Sequence, residues 1–396
     1  MSEGALSGLV VLDLSEGVAG PFCTRLLSDY GAQVLKVERP GVGDCSRAVG
    51  PFPGDQPHPE RSGLFLLLNA GKEGITLDVE GERGAEILRE LSASADIVVE
   101  DLPPGAVARL GLDYQALAAV DPSLIWASIS YFGQSGPYRE WQGSALVAQA
   151  VGGLMAITGE AGREPLRLPG PQAEFQAGLN AAVAILCALH FRDESGQGQH
   201  IDVSVQEAVA SILESSVLAY GYSGFRRGRL GPRHPLQCPS LLMPARDGLV
   251  YVQAGAEWDH FATFLQAPEL VEPRLSSPLR YRYADEVEGA IAPRLAERDA
   301  RELFTAAQEW RIPFALVLGI DELFQDPQYQ ARGFFRQVEH PAAGTLTYPG
   351  APFRMGETPA EVCRAPLLGE HNEEVYVGRL GMAREEVERL CRAGTI

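Results

Sequence analysis

Residues 8–38 read GLVVLDLSEGVAGPFCTRLLSDYGAQVLKVE, and they indicate the fold more clearly than any other part of the chain. Residues 8–14 form an apolar, β-prone run that ends in a loop at 15–21. Apolar residues at helical spacing follow over 23–30, and a second apolar run covers 32–38. This order of strand, helix and strand, with nearly continuous apolar strands, predicts two parallel strands of a sheet that helices cover on both faces.

The same alternation continues along the chain. A helix is predicted at 81–94, and strands are predicted at 96–100, 124–130 and 201–205. Before the last of these strands lies an apolar, alanine-rich stretch at 177–191, for which we expect a buried helix rather than a surface helix. The fold class is therefore predicted to be α/β, with a parallel sheet in a large domain.

The composition changes near residue 222, where arginine, glycine and proline become frequent. We interpret residues 1–222 as the large domain and residues 223–330 as a linker followed by a smaller α/β domain, which has a predicted strand at 249–253. The remaining residues, 331–396, form a C-terminal segment that ends in a polar helix predicted at 383–392.

The charge balance argues against one broad class of partners. The chain carries 33 basic and 52 acidic residues, which gives a net charge of −19, whereas proteins that bind nucleic acid through its phosphates need a basic face. Only Lys36 and Lys72 are lysines, so the other 31 basic residues are arginines. We therefore expect no nucleic-acid partner, and we expect an anionic ligand to bind in a local pocket that contains arginine.

The apolar windows and the cysteine spacing give further expectations. No window approaches the ~18 uninterrupted apolar residues of a membrane span. The six cysteines include no Cys-x-x-Cys pair and the seven histidines form no cluster, so we expect neither a metal site nor a disulfide framework. The interpretation is a cytoplasmic protein with reduced thiols and no membrane partner.

Three features converge on the carboxyl edge of the predicted sheet, where open α/β sheets bind ligands. The turn Gly17-Val18-Ala19-Gly20 joins the first strand to the first helix, so its N–H groups and the helix dipole can receive a phosphate. Arg39 follows the second strand, and Arg109 follows the strand at 96–100. Together they favour an anionic, nucleotide-like ligand, although the turn alone is equally consistent with a structural role and Arg39 alone with a surface ion pair.

Glu174 directly precedes the apolar stretch at 177–191. A carboxylate there can stabilise the N-terminus of a helix through the helix dipole, or it can be a nucleophile that the helix presents. The residues alone leave both roles open. A serine hydrolase is not indicated, because the chain has no Gly-x-Ser-x-Gly motif.

Several stretches of the chain are similar to one known family. They are GAQVLKVERP at 31–40, SGQGQ at 195–199 and, most specifically, RAPLLGEH at 364–371. With these motifs the chain resembles the class III CoA-transferases over essentially its whole length. That family includes formyl-CoA transferase and the carnitine CoA-transferases and is related to α-methylacyl-CoA racemase. The resemblance implies transfer of coenzyme A, which enters as a substrate, from an acyl-CoA donor to a carboxylic-acid acceptor.

The resemblance also implies an architecture and a binding site. It implies a Rossmann-like large domain built from the N-terminal half and the returning C-terminal segment, a smaller domain between them, and an interlocked homodimer of two open, ring-like chains. Matching the family motif position by position places contacts to CoA on a set that includes the turn and both arginines. This set is Gly17, Val18, Ala19, Arg39, Leu77, Asp101 and Arg109.

The nucleophile of that family is an aspartate, and the position that matches it is Glu174. The resemblance implies that Glu174 attacks the acyl-CoA thioester to form a mixed anhydride, although its extra methylene can misplace the carboxylate. Ser144-Ala145 stands in place of a tyrosine and an acid, and Asp101 stands where asparagine is usual. These departures leave two alternatives: a non-catalytic subunit of a heteromeric CoA-transferase, and a racemase, lyase or isomerase on the same fold.

Overall fold

The chain folds into two compact units. The computed structural model describes residues 4–109, 111–254 and 257–396. The first unit comprises the residues up to 154 together with 168–214 and 330–396, and the second comprises 155–167 and 215–329. The segment 155–167 thus groups with the second unit, whereas the sequence analysis assigned it to the large domain.

A six-stranded parallel sheet forms the centre of the first unit. Its strands are β1 Val10–Asp13, β2 Gln33–Glu38, β3 Glu73–Thr76, β4 Ile97–Glu100, β5 Ile125–Ser130 and β6 His200–Ser204. Their order is β3-β2-β1-β4-β5-β6, so the prediction of an α/β fold with a parallel sheet is confirmed. Val11 and Leu12 on β1 belong to different hydrophobic clusters, because successive side chains of a strand point to opposite faces.

Helices cover both faces of this sheet and build most of the second unit. The α-helices are α1 Ala19–Asp29, α2 Gly63–Leu68, α3 Glu82–Ser92, α4 Ala106–Arg109, α5 Tyr114–Ala118, α6 Ala145–Val151, α7 Leu154–Ile157, α8 Gln172–Ser195, α9 Val205–Ser211, α10 Glu214–Ser223, α11 Trp258–Phe264, α12 Pro273–Ser276, α13 Ala284–Ala296, α14 Ala300–Glu309, α15 Ile320–Leu323, α16 Pro327–Arg332 and α17 Arg384–Ala393. On one face α1 and α8 pack together, and on the other α3 contributes to the core.

Helix α8 is only partly buried within one chain. Its alanine stripe, which includes Ala177 and Ala181, belongs to the core cluster that also contains residues of α1. The opposite side exposes Leu179, Val183 and Leu186, and Val183 is 53% exposed. The expectation of a buried helix is therefore wrong for this side of α8 in the single chain. Among the described residues α8 is also the one helix whose length and hydropathy would allow it to span a membrane, but its buried alanine stripe makes it a core helix of the first unit.

The C-terminal segment forms hydrogen bonds with the outer strand β3. The N–H of His371 donates to the carbonyl oxygen of Gly74 at 2.9 Å, and the N–H of Gly74 donates to Nδ1 of His371 at 3.0 Å. The side chain of Asn372 accepts the N–H of Thr76 at 2.9 Å, and the hydroxyl of Tyr376 donates to the carbonyl oxygen of Thr76 at 2.6 Å. His371, Asn372 and Tyr376 thus satisfy backbone N–H and carbonyl groups on the outer edge of β3. A two-stranded hairpin, β10 Phe335–His340 and β11 Gly344–Pro349, precedes them.

The second unit has its own small sheet and its own core. Its strands are β7 Ser240–Pro244, β8 Leu249–Gln253 and β9 Ala315–Leu316, paired antiparallel in the order β7-β8-β9. The core contains Phe261, Phe264 and Phe314 packed with aliphatic residues of α13 and α14. The predicted strand at 249–253 is confirmed.

Candidate active site

A cavity of about 650 Å³ opens at the carboxyl edge of the parallel sheet, entirely within the first unit. It extends past the ends of β1, β4 and β5 and reaches the first turn of α8. Seven of the eight residues selected from the sequence line it. They are Gly17, Val18, Ala19, Arg39, Asp101, Arg109 and Glu174. The structure therefore brings together residues that are widely separated in the chain.

The turn at Gly17 is held by two carboxylates beneath it. The N–H of Gly17 donates to Oδ1 of Asp44 at 3.0 Å, and the N–H of Glu16 donates to Asp101 at 2.9 Å. These two amides are therefore not available to a phosphate, contrary to the expectation for Gly17. The N–H groups of Val18, Ala19 and Gly20 have no protein acceptor among the described residues, and α1 has no side-chain cap. The amides that are free to accept an anion are thus those at the start of α1.

Both lysines of the chain are buried beneath this turn. Nζ of Lys36 lies 2.7 Å from Oδ2 of Asp44 and also donates to the carbonyl oxygen of Ser15. Nζ of Lys72 lies 2.9 Å from Oδ2 of Asp13. Burial opposes ionisation of both aspartates, but the lysines hold the pKa of Asp13 and of Asp44 below their usual range. The lysines therefore hold the loop in shape and do not face the ligand.

The two arginines differ in their surroundings. The Arg39 side chain is 64% exposed, and its Nε lies 3.2 Å from Oε1 of Glu16, so the surface ion pair considered from the sequence is present. Arg109 ends α4 and has no ion pair among the described residues. Leu77 does not line the main cavity. It lies in an adjoining cavity of about 300 Å³ that shares Glu16, Arg39 and Leu102 with the first.

Burial raises the pKa of three carboxyl groups in the cavity wall. Burial raises the pKa of Asp101 well above its usual range, although the N–H of Glu16 and the charge of Lys36 act in the opposite direction. Burial also raises the pKa of Glu16 and the pKa of Glu174 above their ordinary values. The cavity therefore repels an anion less than its formal charge indicates. Buried Ser130 Oγ, which has no hydrogen-bond partner among the described residues, adds an unused polar group to its wall.

Glu174 lies in the first turn of α8 and points into the cavity. A Cβ on Gly178 would overlap the carbonyl oxygen of Ala19, so this glycine permits the close approach of α8 to the start of α1. Oε1 of Glu174 accepts a short hydrogen bond from the hydroxyl of Tyr131. Its partner is thus a side chain at the end of β5 rather than an N–H group of its own helix.

Sequence reasoning missed Tyr131, which directly follows β5. Its ring packs on Gly143, where a Cβ would overlap the ring, and its carbonyl oxygen accepts the N–H of Gln206 at 3.0 Å. The available signal was its position at the carboxyl end of a predicted strand, the same signal that selected Arg39.

The loop after β5 forms the outer wall near Glu174. Phe132 and Trp141 line the cavity, and Tyr138, which is not a lining residue, stacks on Trp141 with 4.0 Å between the ring centroids. Arg139 also lines the cavity, and its guanidinium lies 2.9 Å from Glu140 on the surface. This wall therefore offers flat apolar surfaces and one guanidinium that is held only by an exposed neighbour.

A family model described as CoA-transferase family III matches residues 6–372. The chain belongs to CoA-transferase family III. A succinyl-CoA:mesaconate CoA-transferase of Haloarcula hispanica is 36% identical over 94% of this chain and 96% of its own length. A succinyl-CoA–D-citramalate CoA-transferase of Chloroflexus aurantiacus is 33% identical over 97% of this chain and 96% of its own length.

The solved structures agree with this assignment. A CAIB/BAIF family protein from Brucella suis superposes with a TM-score of 0.84 at 30% identity, covering 96% of this chain and all of that chain. The resemblance inferred from the motifs is thus confirmed, and the protein is an enzyme that transfers CoA from an acyl-CoA to an acid.

Within this CoA-transferase, Ser144 and Ala145 have a structural place. Ser144 caps α6, since its Oγ accepts the N–H of Val147 at 3.2 Å, and Ala145 begins that helix. Neither residue lines the cavity. In the part of the chain that the structure describes, no group of three or more histidine, cysteine, aspartate or glutamate side chains is arranged to hold a metal ion.

Proposed function

We propose that this CoA-transferase works through a covalent intermediate on Glu174. The observation that carries the proposal is the position of the Glu174 carboxyl group in the same cavity as Arg39, Arg109 and the uncapped start of α1. A nucleophile near one end of a cavity and anion-binding groups near the other suit a thioester substrate that carries phosphates.

The reaction follows from the carboxylate chemistry. An oxygen of Glu174 attacks the thioester carbon, a C–O bond forms as the C–S bond breaks, and CoA leaves as a thiolate from a mixed anhydride. The thiolate then attacks Cδ of Glu174, which releases the donor acid as a carboxylate and forms a glutamyl-CoA thioester. The acceptor carboxylate attacks this thioester, and the same steps in reverse give the new acyl-CoA and free Glu174.

The strand order suggests how CoA lies along the sheet edge. The strands β2, β1, β4 and β5 are neighbours in this order. Arg39 follows β2, Gly17 follows β1, Arg109 lies after β4, and Tyr131 follows β5. Neighbouring strands are about 4.8 Å apart, so the edge from β2 to β5 spans roughly 14 Å. We place the phosphates of CoA near the two arginines and the thioester near Glu174.

We further propose an acyl group that carries a second carboxylate. The two relatives compared above are named for succinyl-CoA, whose acyl group ends in a carboxylate. In this chain Arg139 lines the cavity beside Tyr131, and an exposed neighbouring pair such as Arg139 and Glu140 costs little to separate. Arg139 is therefore available to a distal carboxylate.

We propose that two chains form the interlocked dimer. The exposed apolar side of α8, with Leu179, Val183 and Leu186, supports this proposal, because large apolar patches are usually covered by a partner. Analytical ultracentrifugation tests the mass of the assembly, and a charged substitution such as Val183→Glu is expected to weaken it.

Trapping of the intermediate tests the covalent mechanism. The protein is incubated with a panel of acyl-CoAs, treated with borohydride or hydroxylamine, and digested for mass spectrometry. We expect a CoA or acyl adduct on the peptide that contains Glu174 in the wild type, no adduct there in Glu174→Gln, and a normal adduct in Glu140→Gln, which changes another glutamate of the cavity wall. Full transfer activity in Glu174→Gln would contradict the mechanism.

Two further experiments separate the alternatives. A wild-type chain that binds CoA but transfers it only after a homologous chain is added would be the non-catalytic subunit. Deuterium exchange at the α-carbon of an acyl-CoA in D₂O, with no CoA transfer, would indicate racemase or isomerase chemistry.

A further inference from the structure

The hydrogen bond between Tyr131 and Glu174 makes the two oxygens of the carboxyl group different. Oε1 accepts the Tyr131 hydroxyl, whereas no protein group of the described residues donates to Oε2. Glu174 is half-buried in the cavity wall, so hydrogen bonds from water do not fully remove this difference between the two oxygens. Oε2 is therefore the carboxyl oxygen to which no described protein group donates.

We propose that Tyr131 is a catalytic residue that donates to Oε1 throughout the reaction and stabilises negative charge on it. This inference rests on the covalent role of Glu174 proposed above. Oε2 is then the attacking oxygen, and Oε1 becomes the carbonyl oxygen of both the mixed anhydride and the glutamyl-CoA thioester.

The effect of Tyr131 is confined to particular steps. When Oε2 attacks the acyl thioester, the negative charge develops on the acyl oxygen, which is not bonded to Tyr131. When the CoA thiolate attacks Cδ of Glu174, the C–S bond forms and the charge develops on Oε1, and expulsion of the donor acid through the Cδ–Oε2 bond restores the carbonyl. Attack of the acceptor carboxylate on the glutamyl thioester charges Oε1 again. Tyr131 therefore acts at the steps on Cδ.

The surroundings of Tyr131 fix its hydroxyl in place. The ring has no lateral freedom on the side of Gly143, where even a Cβ would overlap it, and the backbone is tied to α9 through the N–H of Gln206. A hydroxyl held in advance needs no reorganisation when charge develops, which is the physical basis of an oxyanion donor.

Tyr131 also remains protonated at working pH. Burial raises the pKa of Tyr131 well above its ordinary value, and the negative charge of Glu174 raises it further. The other ionisable groups of the cavity wall come from the loops after β1, β2, β4 and β5. They are Glu16, Arg39, Cys45, Asp101, Arg109, Arg139 and Glu140.

The test compares Tyr131→Phe with Tyr138→Phe, which removes a hydroxyl from the ring that stacks on Trp141 in the same loop. Single-turnover reactions measure the rate at which the CoA adduct on Glu174 appears. We expect Tyr131→Phe to slow this rate by about 10²- to 10³-fold, as for loss of one oxyanion donor, with acyl-CoA affinity changed less than about twofold because the hydroxyl donates to Glu174 rather than to CoA. Tyr138→Phe is expected to match the wild type.

A pH profile gives a second readout that a merely structural role would not move. The Tyr131 hydrogen bond favours the ionised form of Glu174, so its loss is expected to shift the acid limb of kcat/KM to higher pH. In Glu174→Asp the side chain is shorter by one methylene, which moves the carboxylate away from the Tyr131 hydroxyl. Adding Tyr131→Phe to this variant is therefore expected to reduce the rate little further.

The outcomes distinguish this inference from the proposed function. Transfer that persists in Glu174→Gln overturns the covalent mechanism and the role of Tyr131 together. Transfer that depends on Glu174 but proceeds in Tyr131→Phe at the wild-type rate, with an unmoved acid limb, overturns the role of Tyr131 alone.

Discussion

The ammonium of Lys36 lies 2.7 Å from Oδ2 of Asp44, and Oδ1 of the same carboxylate accepts the N–H of Gly17 at 3.0 Å. Both charged side chains are fully buried. Asp44 thus joins a buried cation to the turn that begins the ligand cavity. Asp101 accepts the neighbouring N–H of Glu16, so the shape of this part of the cavity depends on buried carboxylates, one of which is paired with Lys36.

Asp44→Asn is expected to destabilise the protein by about 3–5 kcal/mol, since it leaves the charge of Lys36 buried and unpaired. It is also expected to weaken CoA binding, because the Gly17 turn loses its support. Urea unfolding and calorimetric titration with CoA measure the two effects. Asp299→Asn breaks the exposed pair with Arg246, so a cost of at most about 1 kcal/mol is expected for this control. Equal costs in the two variants would contradict the argument.

Arg39→Gln is expected to raise KM for acyl-CoA by about 10- to 100-fold through the loss of a charge-assisted hydrogen bond to phosphate. The kcat value is expected to change little, and the penalty should disappear with an acyl-pantetheine substrate, which lacks the phosphates. Steady-state kinetics with both substrates measure this difference. Arg384→Gln, at an exposed arginine paired with Glu373, provides the control. A penalty that persists with acyl-pantetheine would place Arg39 outside the phosphate site.

Gly143→Ala is expected to reduce kcat and to destabilise the protein by about 1–3 kcal/mol, because its methyl group overlaps Cβ and Cγ of Tyr131. Its methyl group would overlap the Tyr131 ring and move the hydroxyl away from Glu174, and a displacement of about 1 Å near the reacting atoms can cost on the order of 10²-fold. Gly356→Ala adds a methyl group where no atom lies within 4 Å, so it should keep the wild-type rate. The measurement is kcat together with the thermal midpoint, and an unchanged kcat in Gly143→Ala would show that the ring tolerates the methyl group.

Glu100→Gln is expected to stabilise the protein at high pH. Burial raises the pKa of Glu100 from 4.5 to about 7. Between these values the folded state keeps a proton that the unfolded state releases, so the wild type loses stability as pH rises through this window, by up to about 3 kcal/mol. The gain from Glu100→Gln should be near zero at pH 4 and greatest at pH 8.

Urea unfolding at several pH values tests this prediction. Glu90→Gln, at an exposed glutamate of α3, controls for effects of pH on the assay. A gain from Glu100→Gln that is the same at pH 4 and pH 8 would contradict the prediction.

Most of the parallel sheet could be predicted because its strands are local, apolar runs. The predicted stretches contain β1, β2, β4 and β5 in full. Strand β3 was missed because Glu73–Thr76 offers a single large apolar residue, Ile75. It is a strand because β2 pairs with it in the sheet and the C-terminal segment covers its edge, and neither contact is local in sequence.

The side of α8 that remains exposed shows a second limit. A run of apolar residues predicts burial on every side, but only the alanine stripe meets α1 within one chain. Composition reports how much apolar surface a helix carries, whereas the neighbouring elements decide which part of it is covered.

The sequence by itself determined the α/β fold, the family and seven residues of the cavity, because these depend on local apolar patterns and on motifs. Only the tertiary structure decided that Asp44 holds the Gly17 turn and that Tyr131 donates to Glu174, residues that lie 43 positions apart in the chain. The physical reason is that these hydrogen bonds form only where parallel strands and the start of α8 meet at one edge, and no local pattern specifies which side chains face each other there.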